Sequence, residues 1–152
     1  MTLGSLSFTI ITKDYQKEFD DRMKTIRSDR KKSFYEFVNN SKGVVADEMI
    51  FTSDEEFFKN MSHEDMMKWA TESINFVIEN LGYKKEQILH ATLHLDEKTP
   101  HIHLVVIPLV KKFDKRCNKE IYSISKRAYI KDKTHLSKLQ DKYYERLINN
   151  GF

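Results

Sequence analysis

The sequence predicts an α+β fold in which helices pack on a central antiparallel β-sheet. Short stretches of alternating apolar and polar residues are typical of strands, and other stretches carry apolar residues at helical spacing. Two of the predicted strands are joined by only five residues, a length that favours a hairpin and therefore antiparallel pairing.

The N-terminal third is predicted to contain two strands and one helix. Residues 6–12 alternate and are rich in β-formers, which predicts the first strand. Apolar residues then recur every three or four positions over residues 15–26, which predicts a helix. A second stretch of β-formers follows Gly43 and predicts a strand over residues 44–51.

Two capping patterns predict the next helices. Ser53 is followed three residues later by Glu56, which predicts a capping box at the start of a short helix through Phe58. Ser62 is predicted to cap a long amphipathic helix, and Gly82 marks its C-terminal end.

The C-terminal half is predicted to contain three strands and a final helix. Two strands are expected over residues 87–95 and 101–109. A basic loop around Cys117 precedes a short strand over residues 121–124, and the last helix is expected over residues 135–149. The side chains that this helix should bury are Leu136, Leu139, Tyr143 and Leu147.

Composition indicates one domain, residues 1–152, and excludes several classes of protein. Cys117 is the only cysteine, so a disulfide framework and a cysteine-based zinc site are excluded. No apolar run approaches the roughly 18 residues that a membrane helix needs, so no membrane segment is expected. The N-terminus lacks the pattern of a secretory signal, so the sequence predicts a cytoplasmic protein.

Charge is distributed unevenly along the chain. Residues 1–110 carry 14 Lys and Arg against 18 Asp and Glu, whereas residues 111–152 carry 12 against 5. A basic C-terminal third is the electrostatic pattern expected of a protein that binds a polyanion such as DNA. Lysine-rich helices and loops are also ordinary solvated surface, so charge alone does not decide between these interpretations.

The segment most informative about chemistry is residues 94–103, HLDEKTPHIH. In a strand, His101 and His103 project to the same side, and a hairpin would place His94 beside them. Three imidazoles would then converge, with the Glu97 carboxylate within reach from the turn. This set suits Mn²⁺, Mg²⁺, Zn²⁺, Co²⁺ or Ni²⁺ and leaves coordination positions open for substrate. The alternative, a surface hairpin with incidental histidines, does not explain three histidines on one face.

The same alternation assigns the faces of the first strand of this hairpin. Ile88, His90, Thr92 and His94 are predicted on the face that carries the imidazoles, and the residues between them should pack on helices. His90 lies about 13 Å from His94 along the strand, so it is predicted to pack or to support the site rather than to bind the ion.

The segment resembles the metal motif of the Mob/Pre (MobV-type) plasmid relaxases, which are histidine–hydrophobe–histidine endonucleases. His101-Ile102-His103 is the diagnostic triplet, and the spaced motif continues to Pro108. Residues 47–54, with Phe57 and Phe58, resemble the segment before the motif. Residues 113–120, 136–142 and 151–152 resemble the segments after it, so the resemblance covers roughly residues 30–152.

The resemblance implies a relaxase-like fold, two-layer or sandwich, and a metal-dependent DNA-nicking activity. His94, His101 and His103 would hold Mn²⁺ or Mg²⁺, with Glu97 at or beside the ion, and Glu48 would orient an active-site partner. The DNA would be a plasmid transfer origin, as a single strand or hairpin. Nicking would leave a covalent protein–DNA link and a free 3′-hydroxyl, and would serve plasmid mobilisation and recombination.

The resemblance does not assign the nucleophile. In the family the attacking group, a histidine in the best-described branch, lies upstream of the segment that matches residue 30 onward, and the first histidine here is His63. The early tyrosines are Tyr15 and Tyr35, and Tyr15 falls on an apolar helical stripe. The chain is therefore expected to be a truncated or divergent relaxase. Two alternatives are a DNA-binding fragment that keeps the metal site but cannot cut, and a hydrolase of small substrates.

Candidate DNA contacts lie mainly in the basic C-terminal third, which counts against a small substrate. Tyr83 and Tyr122 are candidate surfaces for base stacking. The residues predicted to contact backbone phosphates are Lys111, Lys112, Lys115, Arg116, Lys119, Lys126 and Arg127.

Overall fold

The computed structural model describes residues 7–12, 17, 46–95, 99–116 and 118–152. The helix predicted over residues 15–26 lies outside this range except for Lys17, and Glu97 and Cys117 also lie outside it.

The centre of the described structure is a four-stranded antiparallel sheet, which confirms the predicted α+β class. Its strands are β1 (Ser7–Thr12), β2 (Asp47–Thr52), β3 (Ile88–His94) and β4 (His101–Val106). Their order in the sheet is β1-β3-β4-β2, so β3 and β4 lie in the middle. The two strands of the histidine hairpin therefore have a hydrogen-bonded neighbour on each side.

Two helices follow β2. Helix α1 (Glu55–Phe58) begins at Asp54, whose side chain accepts a hydrogen bond from the backbone N–H of Phe57. The prediction of Ser53 as its cap was wrong by one residue, because Asp54 supplies the same kind of acceptor with a formal negative charge at the helix start.

Helix α2 (His63–Glu79) begins as predicted at Ser62. The Ser62 hydroxyl accepts from the N–H of Asp65, and the Asp65 carboxylate accepts from the N–H of Ser62, which together form a capping box. The chain leaves the helix through Gly82, whose φ of +90° is a conformation that glycine adopts at little cost.

The apolar face of the sheet packs against α2 and the last helix, α3 (Lys133–Asn149). Trp69 of α2 and Leu147 of α3 meet Leu93 and Ile102 of the central strands. Further along the same face, Val77 of α2 joins a second cluster of buried residues, which also contains Tyr83, Ile88, Ala91, Leu104 and Val106. Burial of this face fixes the position of β3 and β4.

An irregularity in β3 corrects one face assignment. The register with β4 runs from Ile88 opposite Val106 directly to His90 opposite Val105, so one extra residue is inserted in β3. Because this bulge reverses the alternation, Ile88 lies in the buried cluster and not on the imidazole face. From His90 to His94 the pairing is regular, as predicted.

A second hairpin follows the sheet where a basic loop was predicted. Strand β5 (Leu109–Asp114) pairs with β6 (Lys119–Ile124) in antiparallel register. The prediction missed β5 and the first two residues of β6, because consecutive lysines obscure the alternation of an exposed two-stranded ribbon.

The final helix is close to its predicted bounds. Leu139 and Leu147 are buried in it, and Tyr143 is partly buried as expected. Leu136 is 41% exposed, so its predicted burial was wrong. It lies within the first turn of the helix.

In the part of the chain that the structure describes, no helix combines the length and apolar character that a membrane crossing requires.

Candidate metal centre and DNA-binding surface

The three histidines of the motif meet on the open face of the sheet. His94, the last residue of β3, pairs directly with His101, the first residue of β4. The rings of His94 and His101 are stacked at 4.9 Å between centroids, and His103 stands edge-on to both at 5.1 Å. One nitrogen from each ring lies within 4.8 Å of the other two, and all three residues are partly exposed.

This geometry fits a divalent metal ion. Ligand nitrogens about 2.1 Å from one ion lie about 3.0–3.4 Å apart in octahedral or tetrahedral arrangements. The three nitrogens lie within 4.8 Å of one another, so small rotations of the rings would bring them to these distances. Imidazole nitrogens suit first-row divalent metals, and three of them leave positions for substrate oxygens.

Hydrogen bonds at Nδ1 set the tautomers of two of the rings. His103 Nδ1 lies 2.8 Å from Glu48 Oε1, and His101 Nδ1 lies 3.3 Å from the carbonyl oxygen of Thr99. Because a carboxylate and a carbonyl only accept, both Nδ1 atoms carry the hydrogen. In this tautomer Nε2 is the nitrogen that would bind a metal, as ligand histidines require.

Neighbouring elements hold these groups in place. Strand β2 pairs with β4 so that Ile50 lies opposite His103 and Glu48 opposite Val105, which puts Glu48 on the imidazole face. The Thr52 hydroxyl donates to the carbonyl oxygen of Pro100 at 2.8 Å and ties the end of β2 to the segment entering β4. Glu97 lies outside the described residues, and its place beside the ion stays a prediction.

The second hairpin and the turn after it form a basic surface at the opposite end of β4 from His101. Residues 109–127 carry seven Lys and Arg against two Asp and Glu. Four of the cations predicted to contact phosphates are exposed on this surface: Lys112, Lys115, Arg116 and Arg127. Lys111 is also exposed but forms an ion pair of 2.8 Å with Glu120. The side chains of Lys119 and Tyr122 lie outside the described part of the structure.

Lys126 has a structural role that the sequence did not predict. Its ammonium group donates to the carboxylate of Asp47 at 2.8 Å, and the Asp47 side chain is buried. A buried carboxylate without a cation partner is costly, so Lys126 is committed to the fold.

The prediction of Tyr83 as a base-stacking surface was wrong. Its side chain is 1% exposed and stacks on Tyr129 with 3.8 Å between the ring centroids. Burial, followed by the negative charge of nearby Asp47, raises the pKa of the Tyr83 phenol. The ring is part of the core and cannot meet a nucleobase.

An aromatic residue that the sequence analysis missed fits the stacking role better. Phe113 on β5 is 56% exposed and lies between Lys112 and Lys115 in the basic hairpin. An exposed phenylalanine among cations is the combination by which proteins bind single-stranded nucleic acid. The KKFDK sequence contained this signal, but without β5 there was no reason to expect an exposed ring.

This fold, an antiparallel sheet with helices on the face opposite the histidine cluster, is similar to that of a relaxase domain. The profile described as plasmid recombination enzyme (Mob_Pre) matches residues 9–152, and the chain belongs to this family. The resemblance found in the motif is confirmed, and the match begins at residue 9 and not near residue 30.

Curated relatives agree with this assignment. The chain is 30% identical over 138 residues to plasmid recombination enzyme type 1 of Staphylococcus aureus, covering 91% of this chain and 30% of the relative. It is 29% identical over 131 residues to a plasmid recombination enzyme of a Bacillus species, covering 85% and 30% respectively. The chain therefore spans less than a third of the length of these relatives.

Solved structures of the MobM relaxase domain bound to origin DNA of plasmid pMV158 are similar throughout the chain. A manganese-bound complex at pH 6.8 has a TM-score of 0.69 and 26% sequence identity, covering 96% of this chain and 67% of MobM's. A second manganese-bound complex, at pH 4.6, has a TM-score of 0.70 with the same identity.

We predict that Glu48→Ala weakens Mn²⁺ binding by about 10- to 100-fold, because the His103 ring loses the acceptor that fixes its tautomer and orientation. Glu48→Gln keeps a side-chain acceptor, so its loss is smaller. Titration calorimetry with Mn²⁺ measures both, and Glu56→Ala, on exposed α1, is the matched control. Unchanged Mn²⁺ affinity in folded Glu48→Ala contradicts this role.

We predict different effects for two adjacent cations. Lys126→Ala lowers the free energy of unfolding by about 1–3 kcal/mol, because Asp47 loses its partner. Arg127→Ala leaves stability unchanged but weakens binding of single-stranded DNA and reduces the dependence of log Kd on log salt by about one. Urea denaturation and binding at several salt concentrations measure these effects. Equal stability losses in the two variants contradict the assignment.

Proposed function

We propose that this chain is a relaxase domain that nicks one DNA strand at a plasmid transfer origin, using Mn²⁺ or Mg²⁺ held by His94, His101 and His103. The observation that carries the proposal is the convergence of the three ring nitrogens within 4.8 Å on the open face of the sheet. Family membership and similarity to DNA-bound, manganese-bound MobM support the same function.

Each residue of the proposed site would have a separate role. The three histidines would hold the ion, and Glu48, hydrogen-bonded to His103, would keep that ring in the tautomer that binds it. Glu97 would add a carboxylate ligand. An ion held there would supply stabilisation of negative charge on a phosphate oxygen during strand cleavage. Because the histidines project from paired central strands, they require little reorganisation when DNA arrives.

The basic hairpin would bind the DNA away from the histidine cluster. Lys112, Lys115 and Arg116 would neutralise phosphates without reading sequence, and exposed Phe113 would stack on an unpaired base. The origin DNA would thus be held at two places, with the metal cluster at one and the hairpin at the other.

A single domain in the cytoplasm is the setting that we propose for this activity. One family profile matches residues 9–152, which supports treating residues 1–152 as one relaxase-like domain. Plasmid DNA, the substrate, is found in the cytoplasm.

A second candidate function is metal-dependent DNA binding without cleavage. The position of the first histidine favours it. His63 is an exposed residue at the start of α2, a helix that packs on the face of the sheet opposite the cluster. No described residue is assigned as the nucleophile.

We predict that supercoiled plasmid carrying the pMV158 transfer origin, incubated with the protein and Mn²⁺ and then treated with detergent, yields nicked circles with protein covalently attached. His101→Ala abolishes the nicking, because one of three ligands is lost, whereas the exposed His63→Ala variant is unaffected. Gel electrophoresis before and after protease treatment measures the adduct. DNA binding without nicking supports the second function, and nicking without attached protein identifies water as the nucleophile.

A further inference from the structure

A fourth imidazole lies on the same face of the sheet as the histidine cluster. His90 precedes Thr92 and His94 on β3, at two-residue intervals, and the register from His90 to His94 is regular. Thr92 pairs with His103, so His90 is the diagonal neighbour of His103 across β3 and β4. Diagonal neighbours of this kind have Cα atoms about 7–8 Å apart.

The His90 ring is held by Thr92. Thr92 is 6% exposed, and its hydroxyl is hydrogen-bonded to Nε2 of His90, whose ring is partly exposed. When Thr92 donates this bond, the neutral ring carries its hydrogen on Nδ1. Nδ1 is then a donor, and an anion in front of it stabilises this tautomer. In this tautomer His90 offers its Nδ1–H as a donor on the face on which the cluster lies.

His90 lies between the two proposed DNA contacts, the histidine cluster and the basic hairpin. From the cluster, β4 runs from His101 to Val106, and the basic hairpin begins three residues later at Leu109. His90 pairs with Val105, near that end of β4. A DNA strand that extends along β4 from the cluster towards the cations of the hairpin passes His90.

We propose that His90 binds the backbone phosphate next to the phosphate held at the metal cluster, an inference that rests on the proposed function. His103 is the cluster residue nearest to His90 in this register, with the Cα atoms about 7–8 Å apart. A single strand that leaves the cluster along β4 would therefore bring its next phosphate towards the His90 ring. A hydrogen bond to a phosphate from a ring already fixed by Thr92 costs little side-chain entropy. His90 is thus a substrate-positioning residue whose function does not require it to bind the metal.

The test uses the full chain and the 22-nucleotide pMV158 origin strand seen with MobM. Single neutral methylphosphonates are placed at each phosphate in turn, and Kd is measured with Mn²⁺ and with EDTA. In the wild-type protein, one substitution should reduce affinity only with Mn²⁺, which marks the metal-held phosphate. A methylphosphonate at the adjacent phosphate should reduce affinity about tenfold both with Mn²⁺ and with EDTA.

The His90→Ala variant should bind the native strand about tenfold more weakly than the wild-type protein. Neutralising the adjacent phosphate should not lower the affinity of this variant further, because the two changes remove the same contact. His90→Asn, whose amide nitrogen replaces Nδ1, should recover part of the affinity, whereas His90→Gln should not. Mn²⁺ affinity should equal that of the wild-type protein in all three variants. His63→Ala is the control.

Two outcomes overturn the inference. If His90→Ala loses affinity by the same factor at every methylphosphonate position, His90 does not contact that phosphate. If Asn and Gln behave alike, the Nδ1 donor is not what matters. In both cases the proposed function is still supported if one methylphosphonate position lowers the affinity of the wild-type protein only when Mn²⁺ is present. If no position behaves in this way, the result counts against a metal-held phosphate and therefore against the proposed function.

Discussion

The register between β3 and β4 is the constraint on which the site depends. With His94 opposite His101, the three rings share one face within about 5 Å of one another. A slip of one residue would turn the histidines of one strand to the buried face, because side chains alternate along a strand. Pairing of β2 with β4 adds Glu48 to the same face, so a single sheet positions the three proposed metal ligands and the carboxylate that is hydrogen-bonded to one of them.

The two faces of the sheet differ in burial and polarity. The apolar face is buried against α2 and α3, and these helices are joined by polar contacts of Tyr143 and Arg146. The Tyr143 hydroxyl accepts from the Trp69 indole at 2.9 Å and lies 2.7 Å from the Ser73 hydroxyl, and Arg146 pairs with Glu72 and Glu79. The buried face therefore supplies the core, and the opposite face can carry polar groups that a core would exclude.

Local patterns in the sequence predicted much of the site and a large part of the fold. Alternation alone placed His101 and His103 on one face, and Ser62 marked the start of α2, because both signals act over a few residues. The bulge at the start of β3, the burial of Tyr83 and the pairing of Lys126 with Asp47 were not predictable in this way. Each depends on contacts between segments distant in sequence, and no local pattern records such a contact.

The central claim is that one divalent ion is bound between rings from two paired strands. The direct measurement is a crystal structure of the protein grown with Mn²⁺, using anomalous scattering at the manganese edge to locate the ion. The account predicts one strong peak about 2.0–2.3 Å from a nitrogen of each of His94, His101 and His103. Rings turned apart, with no peak between them at saturating Mn²⁺, would contradict it.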